Sequence, residues 1–456
     1  MSRPRPRTIA IGALIVLLAV APFVPRGSHH DDGSILPSGD GNGSDSALRP
    51  AMTAGTSRIT PAMQREIDQV VAQGQRVGRL GKASANQLVD DAVRCADLDG
   101  QRYCLGFGWT QDTQAQVQAR MARAARTAAK MPARINTGDL GPAASLARYA
   151  RMSPADRAAA DRAELEDAAR SVAKVWLLRH EIQGEALPAD FLADHPEARA
   201  ATATTPADLS TDAPATAART KATSKPSATP TATATPTTKT TKKPTATPTA
   251  TATPTSTTSA AATKKASDYP RRSVIMNPQH VSEQHMTYWC GPTSMQMIAW
   301  GWAGKARSQQ HWADKLGTTT GGTAITSMVR VTNRYTGWDN PARAGRYITL
   351  DIGSWSYQKW WLLMMRHIHD YRAPVILHPI LLKKFYPYLD DDASGHFQVG
   401  RGYDKRGKKP DQLGYFEPWN QQRFDPSEPY ISRVQWRAAY KSYRANQAHF
   451  QHNVGV

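Results

Sequence analysis

Cysteine is scarce in this sequence, which has only three among its 456 residues. The sequence also lacks a phosphate-binding loop, the G-x-S-x-G pattern of serine hydrolases and the H-E-x-x-H pattern of zinc-dependent hydrolases. Because it has neither zinc-finger spacing nor an RNA-binding signature, the surplus of 57 Lys and Arg over 38 Asp and Glu does not indicate a specific nucleic-acid module. The formal net charge of +19 predicts attraction to anionic surfaces instead, such as membrane lipids or cell-wall polymers.

We expect no cofactor and no metal site. The closest approach to a cluster of metal ligands is His367-x-His369-Asp370, which falls in a predicted helix over residues 357–371. Residues two positions apart do not share a helix face, so we interpret these side chains as a solvated helix end.

The N-terminus predicts export. Three arginines precede an apolar run over residues 9–24, which is shorter than the ~20 residues of a membrane-spanning helix and suits a secretory signal. The Ala-x-Ala sequence at residues 19–21 is typical of a cleavage site, but Pro22 follows it directly. Residues 1–24 are therefore a signal peptide or, alternatively, an uncleaved membrane anchor. In both cases the rest of the chain is expected to be extracytoplasmic, either secreted or tethered to the membrane.

The three cysteines are consistent with an oxidising compartment. Cys95 and Cys104 flank a short loop that contains the turn sequence Asp99-Gly100. We expect them to form a disulfide, and the alternative is two free buried thiols. Cys290 then remains unpaired, and an odd thiol in an exported protein is a candidate reactive group.

Composition divides the remaining chain into four segments. Residues 25–57 are rich in Gly, Ser, Asp and Pro and read as a flexible spacer. Residues 58–197 show helical periodicity and helix-capping patterns, and predict an all-α domain stapled by the disulfide. Residues 198–267 consist almost wholly of Thr, Ala, Pro, Ser and Lys, so they cannot bury a core and predict a disordered linker. Residues 268–456 hold ten of the twelve tryptophans and predict a single α+β domain.

The candidate site lies in this last domain. Cys290 stands at the start of a predicted helix, where the helix dipole and unpaired N–H groups stabilise a thiolate. His396 lies in an alternating, strand-like sequence with Gln398 on the same face. A histidine on a strand that faces a cysteine at a helix N-terminus is the arrangement required for Cys–His catalysis. Taken singly, a cysteine in this context is more often a small buried apolar residue, and a histidine such as His396 is more often structural.

Together these motifs resemble the C39-like branch of the papain-like cysteine peptidases. The resemblance extends over about residues 272–435 and rests on Cys290-Gly291-Pro292, Gly395-His396-Phe397 and Tyr415-Phe416-Glu417-Pro418. It implies a papain-like fold, with Cys290 as nucleophile and His396 as its base.

The resemblance also implies two supporting residues. Gln284, six positions before the cysteine, matches the glutamine that donates to the oxyanion, and Gln279 is a weaker candidate. Glu417 occupies the position of the usual Asp or Asn that orients the histidine. Asn420 and Asp404 are alternatives for that role.

The function implied is hydrolysis of peptide or isopeptide bonds by a Cys–His thiolate mechanism, with a peptide or protein as substrate. Two alternatives stay open. One is a catalytically impaired papain-like module that binds peptide or cell-wall components, and the other is a cell-wall amidase.

Overall fold

A computed structural model describes residues 56–76, 84–130, 134–198, 264–336 and 346–456. Most of the predicted spacer and linker, and all of the predicted signal or anchor, lie outside these ranges. Within them, no helix is both long and apolar enough to cross a membrane.

The first three described ranges are mainly helical, as their periodicity indicates. Pro61 and Pro154 stand at first helical positions, where a missing N–H has no consequence, and Ser84 and Ser153 cap the helices that follow them. The helices are α1 (Pro61–Arg76), α2 (Ala85–Ala92), α3 (Gln114–Lys130), α4 (Pro142–Arg151), α5 (Pro154–Ala169), α6 (Val172–Leu178) and α7 (Phe191–Asp194).

The prediction that this segment is all-α is wrong for residues 95–109, which form three strands, β1 (Cys95–Leu98), β2 (Gln101–Cys104) and β3 (Gly108–Trp109). Asp99 and Gly100 both have positive φ, 49° and 73°, as a two-residue hairpin turn requires. The predicted disulfide between Cys95 and Cys104 is confirmed and joins residues that face each other across β1 and β2.

The C-terminal described residues alternate helices and strands. The helices are α8 (Cys290–Ala303), α9 (Gln309–Leu316), α10 (Ile325–Tyr335), α11 (Tyr357–His369), α12 (Gln421–Phe424) and α13 (Ala439–Ala448). The strands are β4 (Arg272–Val274), β5 (Thr349–Asp351), β6 (Val375–Leu377), β7 (Gln398–Asp404), β8 (Gln412–Phe416), β9 (Val434–Ala438) and β10 (Asn453–Gly455). This mixture of sheet and helices is the α+β organisation predicted for the C-terminal region.

One ten-stranded sheet contains strands from both ends of the described chain. Its order is β1-β2-β3-β5-β10-β6-β7-β8-β9, with β4 also paired to β7. The junction is the parallel pair β3–β5, in which Trp109 faces Leu350 and both side chains are buried. The other pairs are antiparallel.

Buried polar contacts strengthen this junction. Arg120 of α3 pairs with Asp351 of β5 at 2.6 Å, and Thr110 donates to the same carboxylate at 3.0 Å. Lys174 of α6 is buried, and its ammonium donates to the backbone oxygens of Arg346 and Val456 at 2.6 and 3.0 Å. The N-terminal described residues therefore share a sheet and a polar interface with the C-terminal ones, although the predicted domain boundaries stay a prediction.

Candidate active site

Cys290 is the first residue of α8, as its sequence context predicts, and its side chain is wholly buried. The hydroxyl of Ser294 in the next turn donates to the backbone oxygen of Phe397 at 3.3 Å, which packs the start of α8 against the chain entering β7. The backbone N–H of Phe397 in turn hydrogen-bonds to the Cys290 thiol. Phe397 directly follows His396, so the residue next to the candidate base contacts the candidate nucleophile.

His396 is held by its backbone and by one ring nitrogen. It lies two residues before β7, and its N–H donates to the oxygen of Pro379 at 2.9 Å. Ring Nε2 is 2.7 Å from a carboxylate oxygen of Glu417. Ring Nδ1 is buried and has no hydrogen-bond partner among the described residues. An acceptor on Nε2 favours the tautomer with the proton there, which leaves Nδ1 free to act as a base.

Glu417 is wholly buried and accepts four hydrogen bonds. Oε1 accepts from His396 and from the N–H of Trp419 at 3.0 Å, and Oε2 accepts from Gln398 at 2.7 Å and Tyr388 at 2.9 Å. Burial alone would raise the pKa of Glu417, but the charge of His396 and the hydrogen bonds from His396, Trp419 and Gln398 outweigh it and lower the pKa. The extra methylene of glutamate therefore does not prevent contact with the imidazole.

The other candidates for the orienting residue bind elsewhere. The amide of Asn420 donates to Glu283. Asp404, at the end of β7, pairs with Arg406 at 2.8 Å and with Arg272 at 3.5 Å. Of the three candidates, Glu417 is the one hydrogen-bonded to His396.

The side chain of Gln284 and the backbone N–H of Cys290 donate hydrogen bonds to the same carbonyl oxygen. Gln284 is wholly buried, and its amide nitrogen lies 3.2 Å from the oxygen of Thr137. The N–H of Cys290 donates to the same oxygen at 3.3 Å. The amide of Gln284 also donates to the oxygens of Met286 at 3.0 Å and Thr287 at 2.6 Å, which fix its position. Two donors converging on a carbonyl oxygen beside a thiol form the arrangement of an oxyanion hole.

The alternative donor, Gln279, is exposed and lies in a short 3-10 turn, Pro278–His280. Gln284 is thus the candidate glutamine that the fold brings to the cysteine.

The thiol itself is shielded in this structure. Burial raises the pKa of Cys290 well above its usual value, and the carboxylates of Asp139 and Glu417 add to that effect. Hydrogen bonds from Phe397 and Gly291 oppose it without reversing it. The cysteine is therefore held as a neutral thiol.

The sequence of the C-terminal region matches a known family. Residues 271–448 match the Peptidase_C39 like family. The recognised resemblance is thereby confirmed for this region, which we call the C39-like domain. The chain matches no curated protein and no solved structure.

Three buried side chains beside the candidate active site have the composition of a metal site: Asp139, His378 and His449. The carboxylate oxygens of Asp139 lie 2.7 Å from Nε2 of His378 and 3.0 Å from Nε2 of His449. These are distances of direct hydrogen bonds, so we interpret the trio as a hydrogen-bonded cluster. The three residues are too far apart along the sequence to be recognised as a motif.

His367 belongs to the sequence that we interpreted as a solvated helix end, but its side chain is not exposed to solvent. His367 is wholly buried in α11, and its Nε2 lies 3.2 Å from the oxygen of Pro374. The prediction of a solvated helix end is wrong for this residue because α11 packs its last turn into the core.

Sequence reasoning missed two parts of the site. Tyr388 has no motif around it, and only the fold brings its hydroxyl to Glu417. The segment at residues 135–140 reads in the sequence as a connection between helices, with Gly138 as its main signal.

A cavity of about 370 Å³ lies away from Cys290, lined by residues such as Tyr103, Glu164 and Arg330.

Proposed function

We propose that this protein is an extracytoplasmic cysteine peptidase that hydrolyses peptide bonds. The observation that carries the proposal is the hydrogen bond between Glu417 and His396, next to Phe397 whose N–H bonds to the Cys290 thiol, beside two donors that hold a carbonyl oxygen. The Peptidase_C39 like match over residues 271–448 supports the same chemistry. The disulfide supports an oxidising location.

Each residue has a defined task in this proposal. Nδ1 of His396 removes the proton of Cys290, and the thiolate attacks the carbonyl carbon of the scissile bond. The amide of Gln284 and the N–H of Cys290 stabilise the negative charge that develops on the carbonyl oxygen. His396 then protonates the leaving amine, and water hydrolyses the thioester. Glu417 holds the imidazole ring and stabilises its positive form.

A second candidate function is a binding module that holds a peptide without cleaving it. The observation that favours it is the burial of Cys290, which raises the pKa of its thiol and so disfavours the thiolate needed for attack. The surplus of basic residues would let either form of the protein associate with anionic wall or membrane surfaces.

The test compares the full-length protein with Cys290→Ala and His396→Ala variants on a library of denatured peptides, with cleavage followed by mass spectrometry. We expect cleavage by the wild type, none by Cys290→Ala, and a rate reduced by about 10²–10⁴ in His396→Ala, the usual contribution of a general base. Cleavage that persists in Cys290→Ala would contradict the proposal. Binding of library peptides without any cleavage would favour the binding module.

A further inference from the structure

A short segment from the N-terminal half of the chain, residues 135–140, lies across Cys290. On one side, the N–H of Ser394 donates to the oxygen of Ile135 at 3.2 Å. On the other side, the N–H of Thr323 donates to the oxygen of Gly138 at 2.8 Å, and the N–H of Leu140 donates back to Thr323 at 3.0 Å. Main-chain bonds on both sides of an extended strand are a common mode of peptide recognition.

The register places one peptide bond at the nucleophile. The oxygen of Thr137 accepts from the N–H of Cys290 and from the amide of Gln284 at 3.3 and 3.2 Å. These distances are slightly longer than the about 2.7–3.1 Å expected for a charged oxyanion, as a neutral carbonyl should be. The carbonyl of the Thr137–Gly138 peptide bond therefore lies at the candidate oxyanion hole.

The residue after this carbonyl has to be glycine. Gly138 has φ of +122°, and a Cβ built on it would lie 2.7 Å from the nitrogen of Cys290 and from the carbonyl of Tyr288. Backbone atoms cannot move aside as a flexible side chain can. Any larger residue at this position would lift the segment off the cysteine.

The next residue, Asp139, enters a closed pocket that is complementary to its charge. Its carboxylate, 3 % exposed, is bonded to His378 and His449. Nδ1 of His378 faces the side-chain oxygen of Asn453 at 2.7 Å. The side-chain NH₂ group of Asn453 donates to the backbone oxygen of Phe107 at 2.9 Å, which fixes which end of the amide faces the histidine. Both nitrogens of His378 therefore face oxygen atoms that can accept a hydrogen bond.

His449 completes the pocket in the neutral form. Its Nδ1 accepts from the N–H of Gln451 at 3.1 Å, which leaves the proton on the nitrogen that faces Asp139. The pocket thus presents two imidazole nitrogens, one from each histidine, to a single carboxylate.

We propose that residues 135–140 are a built-in, substrate-like ligand of the active site, and that the site accepts extended peptides with glycine directly after the scissile carbonyl and aspartate next. The binding part of this inference stands by itself, and the cleavage part rests on the proposed function. In an equivalent free peptide, Cys290 attacks the threonine carbonyl carbon and forms a thioester as the Thr–Gly bond breaks. The glycine amine takes the proton from His396 and leaves, and water then releases the threonine carboxylate and restores the thiol.

The first experiment measures how fast iodoacetamide alkylates Cys290 in the full-length protein. The readout is unambiguous because the other two cysteines are joined in a disulfide. We expect Gly138→Ala to raise the alkylation rate at least tenfold, about 1.4 kcal/mol in the opening equilibrium. Gly141→Ala is the matched control, since Gly141 has φ of −58° and an added Cβ there meets nothing within 4 Å.

A second variant guards against misfolding of the first. Asp139→Asn removes the charge that the histidine pocket holds and should also accelerate alkylation, with little change in shape. Near-ultraviolet circular dichroism checks that each variant is folded. A folded variant of either kind that reacts within about twofold of the wild type would overturn the inference, because the segment would then not control access to the thiol.

The second experiment adds the peptide Arg-Ile-Asn-Thr-Gly-Asp-Leu-Gly, residues 134–141, to the Gly138→Ala protein. We expect this peptide to slow the alkylation of Cys290 and to be cut between Thr and Gly. The same peptide with Asn in place of Asp should not slow the alkylation and should not be cut. If the peptide slows alkylation but no peptide is cut, the proposed function fails and the binding inference stands. If library peptides are cut but this one neither protects Cys290 nor is cut, the inference fails and the proposed function stands.

Discussion

Replacing Glu417 by glutamine keeps the size of the side chain and removes its charge. In the structure four donors point at the carboxylate, from His396, Trp419, Gln398 and Tyr388. A glutamine has one acceptor oxygen and one NH₂ group. Because the N–H of Trp419 cannot turn away, the oxygen should stay with Trp419 and His396, and the NH₂ group should face Gln398 and Tyr388.

The magnitude follows from this mismatch. The hydroxyl of Tyr388 can rotate to accept, but the amide of Gln398 has to flip or stay unsatisfied, and its own oxygen already faces Tyr386 at 3.4 Å. One unsatisfied buried donor costs about 1–3 kcal/mol, so we expect a loss of about 2 kcal/mol in the free energy of unfolding. Loss of the charge opposite the imidazolium should lower kcat/KM by about 10²–10⁴.

The assay measures urea unfolding at pH 7 and kcat/KM on the library peptide that the wild type cleaves fastest. Glu166→Gln is the matched control, since this partly exposed residue pairs with Arg170 at 3.5 Å and should change stability by less than about 1 kcal/mol. The reasoning is refuted if Glu417→Gln lowers stability as expected while kcat/KM stays within about tenfold of the wild type. Glu417 would then support the fold and not the histidine.

Three further predictions concern the surroundings of the site. Replacing Cys95 and Cys104 by alanine should lower the free energy of unfolding by about 2–3 kcal/mol, which is the chain-entropy value for the short loop that the disulfide closes. Urea unfolding without reductant measures this loss, and a clearly smaller loss would contradict the prediction. Tyr388→Phe should cost about 1 kcal/mol in the same assay, because it removes one donor from a buried carboxylate that keeps three others. Burial and the neighbouring His378 lower the pKa of His449 to about 4. Between the unfolded value of about 6.5 and this folded value, the unfolded chain binds more protons, so stability should fall by roughly 3 kcal/mol as the pH drops from 6.5 to 4. His449→Gln should flatten that dependence in unfolding curves measured at several pH values, and an unchanged slope would contradict the assignment.

Local sequence patterns were sufficient where a function depends on neighbouring residues. Cys290 before Pro292 specifies a cysteine at the start of a helix, because proline is favoured in a first helical turn. The strand-like alternation places His396 and Gln398 on one side of the chain, and both contact Glu417. The Asp99-Gly100 turn was also visible, but its flanks were assigned to a loop because three short strands have little periodicity of their own.

Contacts between distant parts of the chain were beyond such reasoning. Thr137 and Gln284 are 147 positions apart, and no local pattern links a backbone oxygen to a distant amide. The pairing of β3 with β5 is of the same kind, since a two-residue strand is stable only beside an edge that another part of the chain supplies.

The sequence by itself therefore predicted which residues of the C39-like domain have the chemistry for the site: one unpaired thiol, one histidine, two candidate glutamines and three candidates for the residue that orients the histidine. Only the tertiary structure decided that Glu417, rather than Asn420 or Asp404, bonds to the histidine. It alone also brought the carbonyl of the chain's own Thr137 to the N–H of Cys290 and the amide of Gln284. The physical reason is that side-chain chemistry is local, whereas access to a thiol depends on which distant backbone covers it.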